Sequence, residues 1–295
     1  MSAVGPRVII DFHTHVFPPY IRNNREDLVR RDATLATLYS SAAAWMASAE
    51  ELVSTMDGAS IDISVALGIG WNDLELCRIA NDYVIDAVKK FPTRLKGFCS
   101  VNPKWGDDAV VEVERCHRAG LVGIGELHPD TQGFDLGDNN VMTPLVEVSI
   151  RLGMPILTHA SEPVGHLYAG KGSTTPEVLC RFIDNFPDVT LICAHWGGGL
   201  PFYALMPEIA NVMRSVYFDT AASPLLYSPE IFRTVAGLLT EDKVLLGTDY
   251  PLIKQNRLIR QVIDAPISDE FKEGILYNNA ASLLGIPDWN KSERS

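Results

Sequence analysis

The stretch VIIDFHTHVFPP, residues 8–19, sets two histidines one residue apart between a short apolar run and two prolines. Val8, Ile9 and Ile10 are β-branched and suit a buried strand. Pro18 and Pro19 cannot donate to a ladder and so close it. Side chains i and i+2 of an extended chain share a face, which would stand His13 and His15 together at the strand's C-terminal mouth. Two neutral imidazoles on one face suit a borderline metal such as zinc. An HxH pair alone is also what a loop with two internally satisfied histidines looks like, so the decision rests on what the rest of the chain sets beside it.

Outward from that stretch the chain alternates short apolar runs with longer amphipathic ones. Candidate strands fall at 7–12, 61–68, 95–101, 122–127, 154–158, 189–194, 216–220 and 244–248, rich in Val, Ile and Leu without clean alternation, as parallel strands covered on both faces should be. Helical patterns fall at 72–91, 107–119, 141–152, 175–186, 201–214, 229–239 and 268–284. Thr175-Pro176-Glu177 is a good helix start. This rhythm predicts an α/β fold, a (β/α)8 TIM barrel, because an open doubly wound sheet would need a Gly-rich phosphate turn after strand 1 and none is there. Residues 20–46, including NNREDLVRRDATLATLYSSAAAW, are too long for a βα loop and too charged for core. They read as a partly helical insertion after strand 1, either over the mouth as a lid or dimer element, or a solvated flap.

Length and composition agree. A chain of 295 residues, 46% hydrophobic and 21% charged, suits one α/β barrel domain over 1–295. A formal net charge of −12 argues against nucleic acid and anionic membrane as partners. No apolar run approaches the roughly 18 residues of a membrane span, and the N-terminus lacks the charged and apolar regions of a signal peptide. A soluble cytoplasmic protein is expected. The five cysteines are an odd number without CxxC spacing, which indicates neither a disulfide framework nor a Cys-rich zinc site.

The chemistry collects at the strand ends. After strand 1 stand His13 and His15; after strand 4, in GIGELHP, Glu126 and His128; after strand 5, in MPILTHASEP, His159; after strand 6, in VTLICAHWGGG, His195; after strand 8, in KVLLGTDYPL, Asp249. Five of the seven histidines occupy such places, and in a barrel all of them converge on one face. His13, His15, His159 and Asp249 offer three imidazoles and a carboxylate, a set suited to Zn2+ or a similar divalent ion such as Mn2+ with one position open. His195 is either a fourth imidazole ligand or an unligated group acting on water or substrate, and Asp249 could also take a proton. Near the mouth, Trp71, Asn102, Lys104, His128, His166, Lys171, Trp196 and Lys254 would shape a small-molecule substrate, with Lys171 and Lys254 able to meet a carboxylate. HWGGGLP either cradles an anion at a helix start or lets the loop turn tightly.

From DFHTH through GTDYP the chain resembles the metal-dependent amidohydrolase superfamily, within it the amidohydrolase-related (amidohydrolase 2) branch. That branch includes aminocarboxymuconate-semialdehyde decarboxylase, γ-resorcylate decarboxylase and pyrone-dicarboxylate lactonase. The resemblance implies His13, His15, His159 and Asp249 as metal ligands and His195 as the histidine acting on water or substrate, with a homodimer compatible. Binuclear relatives bridge two metals through a carboxylated lysine after strand 4, and VGIGELHPD has no lysine. Glu126 either bridges a second metal or orients a ligand histidine, and one metal per subunit is expected.

Two reactions fit. In the first, favoured here, a metal-dependent hydrolase opens a small amide, lactone or ester with activated water. The alternative is a non-oxidative decarboxylase (carboxy-lyase) of a small carboxylated substrate, which would want an arginine near the carboxylate. The arginines in reach are Arg22, Arg25, Arg30 and Arg31 of the insertion, or one from a neighbouring subunit. A PHP-type phosphoesterase would want a terminal Asp-x-His where this chain has Asp249-Tyr250-Pro251, and a non-catalytic barrel would have no need of Asp249 beside imidazoles.

Overall fold

A computed structural model describes residues 8–286. Eight parallel strands pair in chain order: β1 (Ile10–His15), β2 (Ile63–Leu67), β3 (Leu95–Cys99), β4 (Gly123–Leu127), β5 (Ile156–Thr158), β6 (Leu191–Cys193), β7 (Val216–Asp219) and β8 (Val244–Leu245). The sheet closes because β1 also meets the chain just beyond β8. Phe12 N–H donates to the Leu246 carbonyl at 2.6 Å, His15 N–H to that of Tyr250 at 2.6 Å, and Asp249 N–H to that of His13 at 2.9 Å. The fold is the expected (β/α)8 barrel, and its closure sets Asp249 against the histidine pair.

Both faces of the sheet are buried, which is why its strands lack polar alternation. Ile10, Phe12, Val65, Leu67, Phe98, Leu157, Ile192 and Leu245 fill the barrel interior. Ile124, Ile156, Leu191 and Phe218 pack outward on Val84, Val113, Leu145 and Phe182 of the surrounding helices. Among the described residues no helix is long and apolar enough to cross a membrane.

Several expected boundaries shift. β1 runs on through His15 instead of ending at Phe12, and Arg7, its expected first residue, lies outside the described residues. Helices at Leu74–Lys90, Asp107–Arg118, Asn139–Leu152 and Pro176–Asn185 match their patterns closely. The pattern at 201–214 breaks into a 3-10 stretch (Leu200–Leu205) and a short helix (Pro207–Val212), because Met206 before a proline is held extended. The pattern at 268–284 holds a π-helical turn at Gly274–Asn278. Helices at Ala49–Ala59 and Gln255–Asp264 complete the ring. The first carries a readable signal, since Ser48 and Glu51 form a capping box. The segment at 20–46 is partly helical, at Pro19–Asn23, Arg25–Leu28 and Ala33–Tyr39.

Candidate active site

Alternation alone would put His13 and His15 on the wrong face. Ile10 and Phe12 already point into the barrel, so residues 13 and 15 should face the helices. The pairing of β1 with β2 slips between Asp11 and Thr14, where three steps on β1 oppose two on β2. That extra residue reverses the parity and turns both imidazoles inward. β4 does the same against β5 between Ile124 and Leu127, which re-aims Glu126. Bulges beside sites commonly serve this purpose.

His195 and Asp249 reach the mouth by another device, left-handed backbone at φ 56° and 63°. Residues 195–199 all have positive φ, and the three glycines make that turn affordable in a stretch where L-residues with a Cβ each cost about 1–2 kcal/mol. HWGGG is therefore a tight left-handed turn, and the 3-10 stretch after it is too short to be an anion site.

The strand ends converge as expected. His13 Nε2 lies 3.1 Å from His15 Nε2, and Asp249 Oδ1 is 3.3 Å from the latter and 3.9 Å from the former. Glu126 stands among four rings, with Oε2 3.6 Å from His13 Nε2 and 3.5 Å from His15 Nε2, and Oε1 3.2 Å from His159 Nδ1 and 3.7 Å from His195 Nε2. Each imidazole ties its other nitrogen to protein oxygen. His13 Nδ1 donates to Asp219 Oδ2 at 2.7 Å, His15 Nδ1 to the Gly68 carbonyl at 2.9 Å, and His195 Nδ1 to the Ala221 carbonyl at 3.2 Å; Ser161 Oγ lies 3.4 Å from His159 Nε2. Rings anchored this way present their free nitrogens to one centre, as metal-binding histidines do. Four imidazoles and two carboxylates without a thiolate are a donor set that fits a divalent metal, and these residues could hold one.

Asp219 was missed in the sequence. Besides holding His13, its Oδ1 accepts from His195 N–H at 2.9 Å and Ala221 N–H at 3.0 Å, so one buried carboxylate positions two site histidines. Its place at the end of the seventh apolar run, like every other site residue, could have revealed it. Asp11 is a second omission. It accepts from Thr248 N–H (2.9 Å), Thr248 Oγ1 (2.7 Å) and Gln255 Nε2 (2.8 Å), pinning the chain before Asp249 to β1. Burial pushes the Asp11 carboxyl up to about 6 against these hydrogen bonds.

Electrostatics within the ring are mutual. Burial opposes charge on Glu126 and Asp249, yet His13 and its neighbouring imidazoles hold the Glu126 carboxyl well below its usual range, and His15, His13 and His195 hold that of Asp249 down at about 2. Burial likewise works against protonation of His195, but Glu126 and Asp249 lift it to about 9. His128 stacks on His159 at 4.2 Å with both ring nitrogens buried and unpartnered, and burial lowers it to about 3.

A cavity of about 400 Å3 opens over the ring, lined by His15, Glu126, His128, His159, His166, His195 and Asp249 together with Leu38, Tyr39, Trp45, Leu225 and Leu252. Of the eight expected substrate contacts His128 and His166 line it, and six lie outside its wall. Trp71 packs with Phe17, Ile21 and Leu35 in a buried cluster, because the chain after β2 turns it under the 20–46 segment. Trp196 faces the outer core, its indole N–H on Ser223 Oγ and its ring on Phe232, since the left-handed turn that presents His195 sends the next side chain outward. Lys171 donates to the Val164 and His166 carbonyls at 2.6 and 3.1 Å and so clips its own loop. Lys104 and Lys254 are exposed, and Asn102 is buried and bonded to the Gln132 carbonyl.

Known proteins bear on the chemistry. 2-Amino-3-carboxymuconate-6-semialdehyde decarboxylase of Dictyostelium discoideum is 27% identical over 248 residues, 74% of this chain and 68% of the relative. γ-Resorcylate decarboxylase of Polaromonas sp. is 24% identical over 255 residues, 72% of this chain and 77% of the relative. Among solved structures, 5-carboxyvanillate decarboxylase of Novosphingobium aromaticivorans, with bound manganese and 3-methoxy-4-hydroxy-5-nitrobenzoic acid, superposes with a TM-score of 0.80 at 19% identity over 95% of this chain and 97% of that one. Dihydroxybenzoic acid decarboxylase of Polaromonas sp., with manganese and 2-nitroresorcinol, gives 0.74 at 18% identity over 98% and 100%. These relatives correct the expectation of a hydrolase, which rested on the lack of a strand-end arginine. His15, His159 and His195 of the ring line the cavity and can meet a carboxylate without one. Zinc, too, is not singled out, since these two neighbours hold manganese. The amidohydrolase family model matches residues 10–286, and the chain belongs to that family.

Proposed function

We propose that this chain is a divalent-metal-dependent, non-oxidative decarboxylase of a small aromatic or conjugated carboxylic acid. The observation that carries the reading is the ring of four anchored imidazoles and two carboxylates at one barrel mouth, in a chain whose curated relatives are decarboxylases. His13, His15, His159 and Asp249 would hold one ion, manganese or zinc, with Glu126, central among the ring nitrogens, as a further oxygen ligand. When bound, the ion supplies Lewis-acid stabilisation of the negative charge that develops on the substrate.

Decarboxylation breaks the bond between the carboxyl carbon and the substrate's body. The electron pair stays on the body, one proton adds to that carbon, and CO2 leaves. In this reading His195 holds that proton. Its Nδ1–H is committed to the Ala221 carbonyl, its Nε2 faces the cavity, and Glu126 and Asp249 favour its protonated form. Asp249, with its carboxyl near 2, stays ionised and serves as ligand and counter-charge. Leu38, Trp45, Leu225 and Leu252 give the cavity an apolar side against which a flat body can lie. The same reading takes residues 1–295 as one barrel domain whose 20–46 segment covers the mouth, in a cytoplasmic homodimer. The family match over 10–286 and five unpaired cysteines support the domain and the reducing compartment.

Manganese-loaded protein incubated in D2O with a panel of hydroxybenzoates should release CO2 and place one deuterium at the carbon that lost it. His195→Gln should lower kcat by about 10²–10⁴-fold with metal content unchanged. No CO2 from any acid, or loss of the metal in that variant, would overturn the assignment.

A further inference from the structure

The helix at Ala33–Tyr39, in the long segment after β1, ends in the cavity wall with Leu38 and Tyr39. Its start is pinned to the loops around it. Asp32 caps it, accepting from Leu35 N–H at 2.9 Å, and also takes Asn72 N–H at 2.6 Å and Asp73 N–H at 3.0 Å from the chain after β2. Thr34 Oγ1 donates to the Gly70 carbonyl and lies 2.6 Å from Thr131 Oγ1 in the loop after β4. At its end the Tyr39 ring rests edge-on against Phe17, with centroids 4.7 Å apart. A side chain held in this way loses little freedom when a ligand meets it. Yet among the described residues the Tyr39 hydroxyl has no hydrogen-bond partner. A tyrosine hydroxyl drawn away from water usually finds one. Burial and the charges of Asp249 and Glu126 push this phenol up, so it keeps its proton and remains a donor. The other polar side chains of the wall are placed differently. Tyr168 donates to Glu162 Oε2 at 3.0 Å, both His128 nitrogens are enclosed, and Trp45 and His166 are exposed at the rim.

Tyr39 follows β1, whereas His195 follows β6, and β7 and β8 stand between those strands in the closed sheet. An acid whose reacting carbon lies at His195 therefore turns its body, not that carboxylate, toward Tyr39. We infer that Tyr39 is a specificity-determining contact, whose O–H donates to an oxygen substituent on the body of the bound acid. The inference rests on the decarboxylase reading only in placing the reacting carbon at His195.

Tyr39→Phe removes the hydroxyl and keeps the ring against Phe17. The contact is read by calorimetric binding of benzoate and of 2-, 3- and 4-hydroxybenzoate to the manganese-loaded protein. In the native protein at least one hydroxy isomer should bind about 3–10-fold more tightly than benzoate. Tyr39→Phe should abolish that advantage while manganese content, Tm and benzoate binding stay as they were. Comparing both proteins with both ligands isolates the one hydrogen bond from any general effect of the substitution. Equal weakening of all four acids, or loss of manganese, would overturn the inference and leave Tyr39 a packing residue of the wall. So would an advantage that survives the substitution, the absence of any preferred isomer, or failure of all four to bind. Parallel measurement of CO2 separates the two readings. The predicted isomer dependence without CO2 from any acid leaves the contact standing and overturns the decarboxylase. CO2 from an acid whose binding Tyr39→Phe does not change, with no isomer affected, does the opposite.

Discussion

At the scale of single residues the site depends on groups that do not face the cavity. Asp219 holds the His13 ring and the His195 backbone at once, so its charge sets both the basicity and the aim of the site. Asp219→Asn keeps the shape and removes the charge, and should weaken metal binding by about 10–100-fold while the chain stays folded, as read by equilibrium dialysis with manganese. Unchanged affinity would deny Asp219 that role. Gly247 marks the limit of approach between the chain after β8 and β1, since a Cβ there would sit 2.8 Å from the Cβ of His13. Gly247→Ala should cost about 1–3 kcal/mol in urea unfolding and reduce metal content, because the clash falls on a ligand. His13, His15, His159, Asp249 and Glu126 were legible in the sequence because each is a chemically conspicuous residue at the end of an apolar run. Asp219 ends such a run as well but lacks an HxH-like signature, and the two tryptophans were misplaced because side-chain direction after a strand depends on a turn that residue type does not reveal.

At the scale of elements the decisive features are irregularities. The eight strands could be read from apolar runs because burial on both faces leaves a compositional mark. The slips in β1 and β4 leave none, yet they turn His13, His15 and Glu126 to the interior. The left-handed turn at 195–199 had its mark in three glycines. A Cβ at Gly198 would lie 2.3 Å from the Ser161 carbonyl oxygen, so Gly198→Ala should destabilise the protein and lower CO2 release through displacement of His195. The loop after β5 hangs on Asp130, which accepts from Ser173 N–H and Oγ at 2.7 Å each and from Thr174 Oγ1 at 3.1 Å. Burial raises the Asp130 carboxyl, but these donors outweigh it and hold it below its ordinary 3.8. A carboxyl depressed on folding stabilises above its unfolded pKa, and that contribution is lost as pH falls through the folded value. Protection against hydrogen exchange across 161–175, taken relative to the intrinsic rate at each pH, should therefore be high at neutral pH and fall as the pH drops below about 4; unchanged protection there would contradict the anchor.

For the molecule as a whole, closure of β1 onto the chain beyond β8 turns scattered sequence positions into one ring, and this much followed from the eightfold rhythm. The reaction did not, because the same donor set serves hydrolysis and decarboxylation, and only likeness to known decarboxylases tilts the choice. Charge in the metal-free ring is balanced by protons. His195, raised from 6.5 to about 9, adds stability that is full below about 6.5 and lost as pH rises through about 9. A metal must displace the protons of its own ligand imidazoles, so manganese affinity should rise from pH 6 to pH 8 with measurable proton release. Metal at about 100 times its Kd should add about 2.7 kcal/mol of stability, seen as a higher Tm that a chelator reverses.

The most direct test of the central claim is the count of divalent ions per chain by mass spectrometry, in protein purified without added metal and after reconstitution with manganese. One ion per chain, absent in His159→Ala at retained fold, is the predicted result. No ion in either preparation, or one bound as well by His159→Ala, would contradict the metal centre on which the proposed chemistry stands.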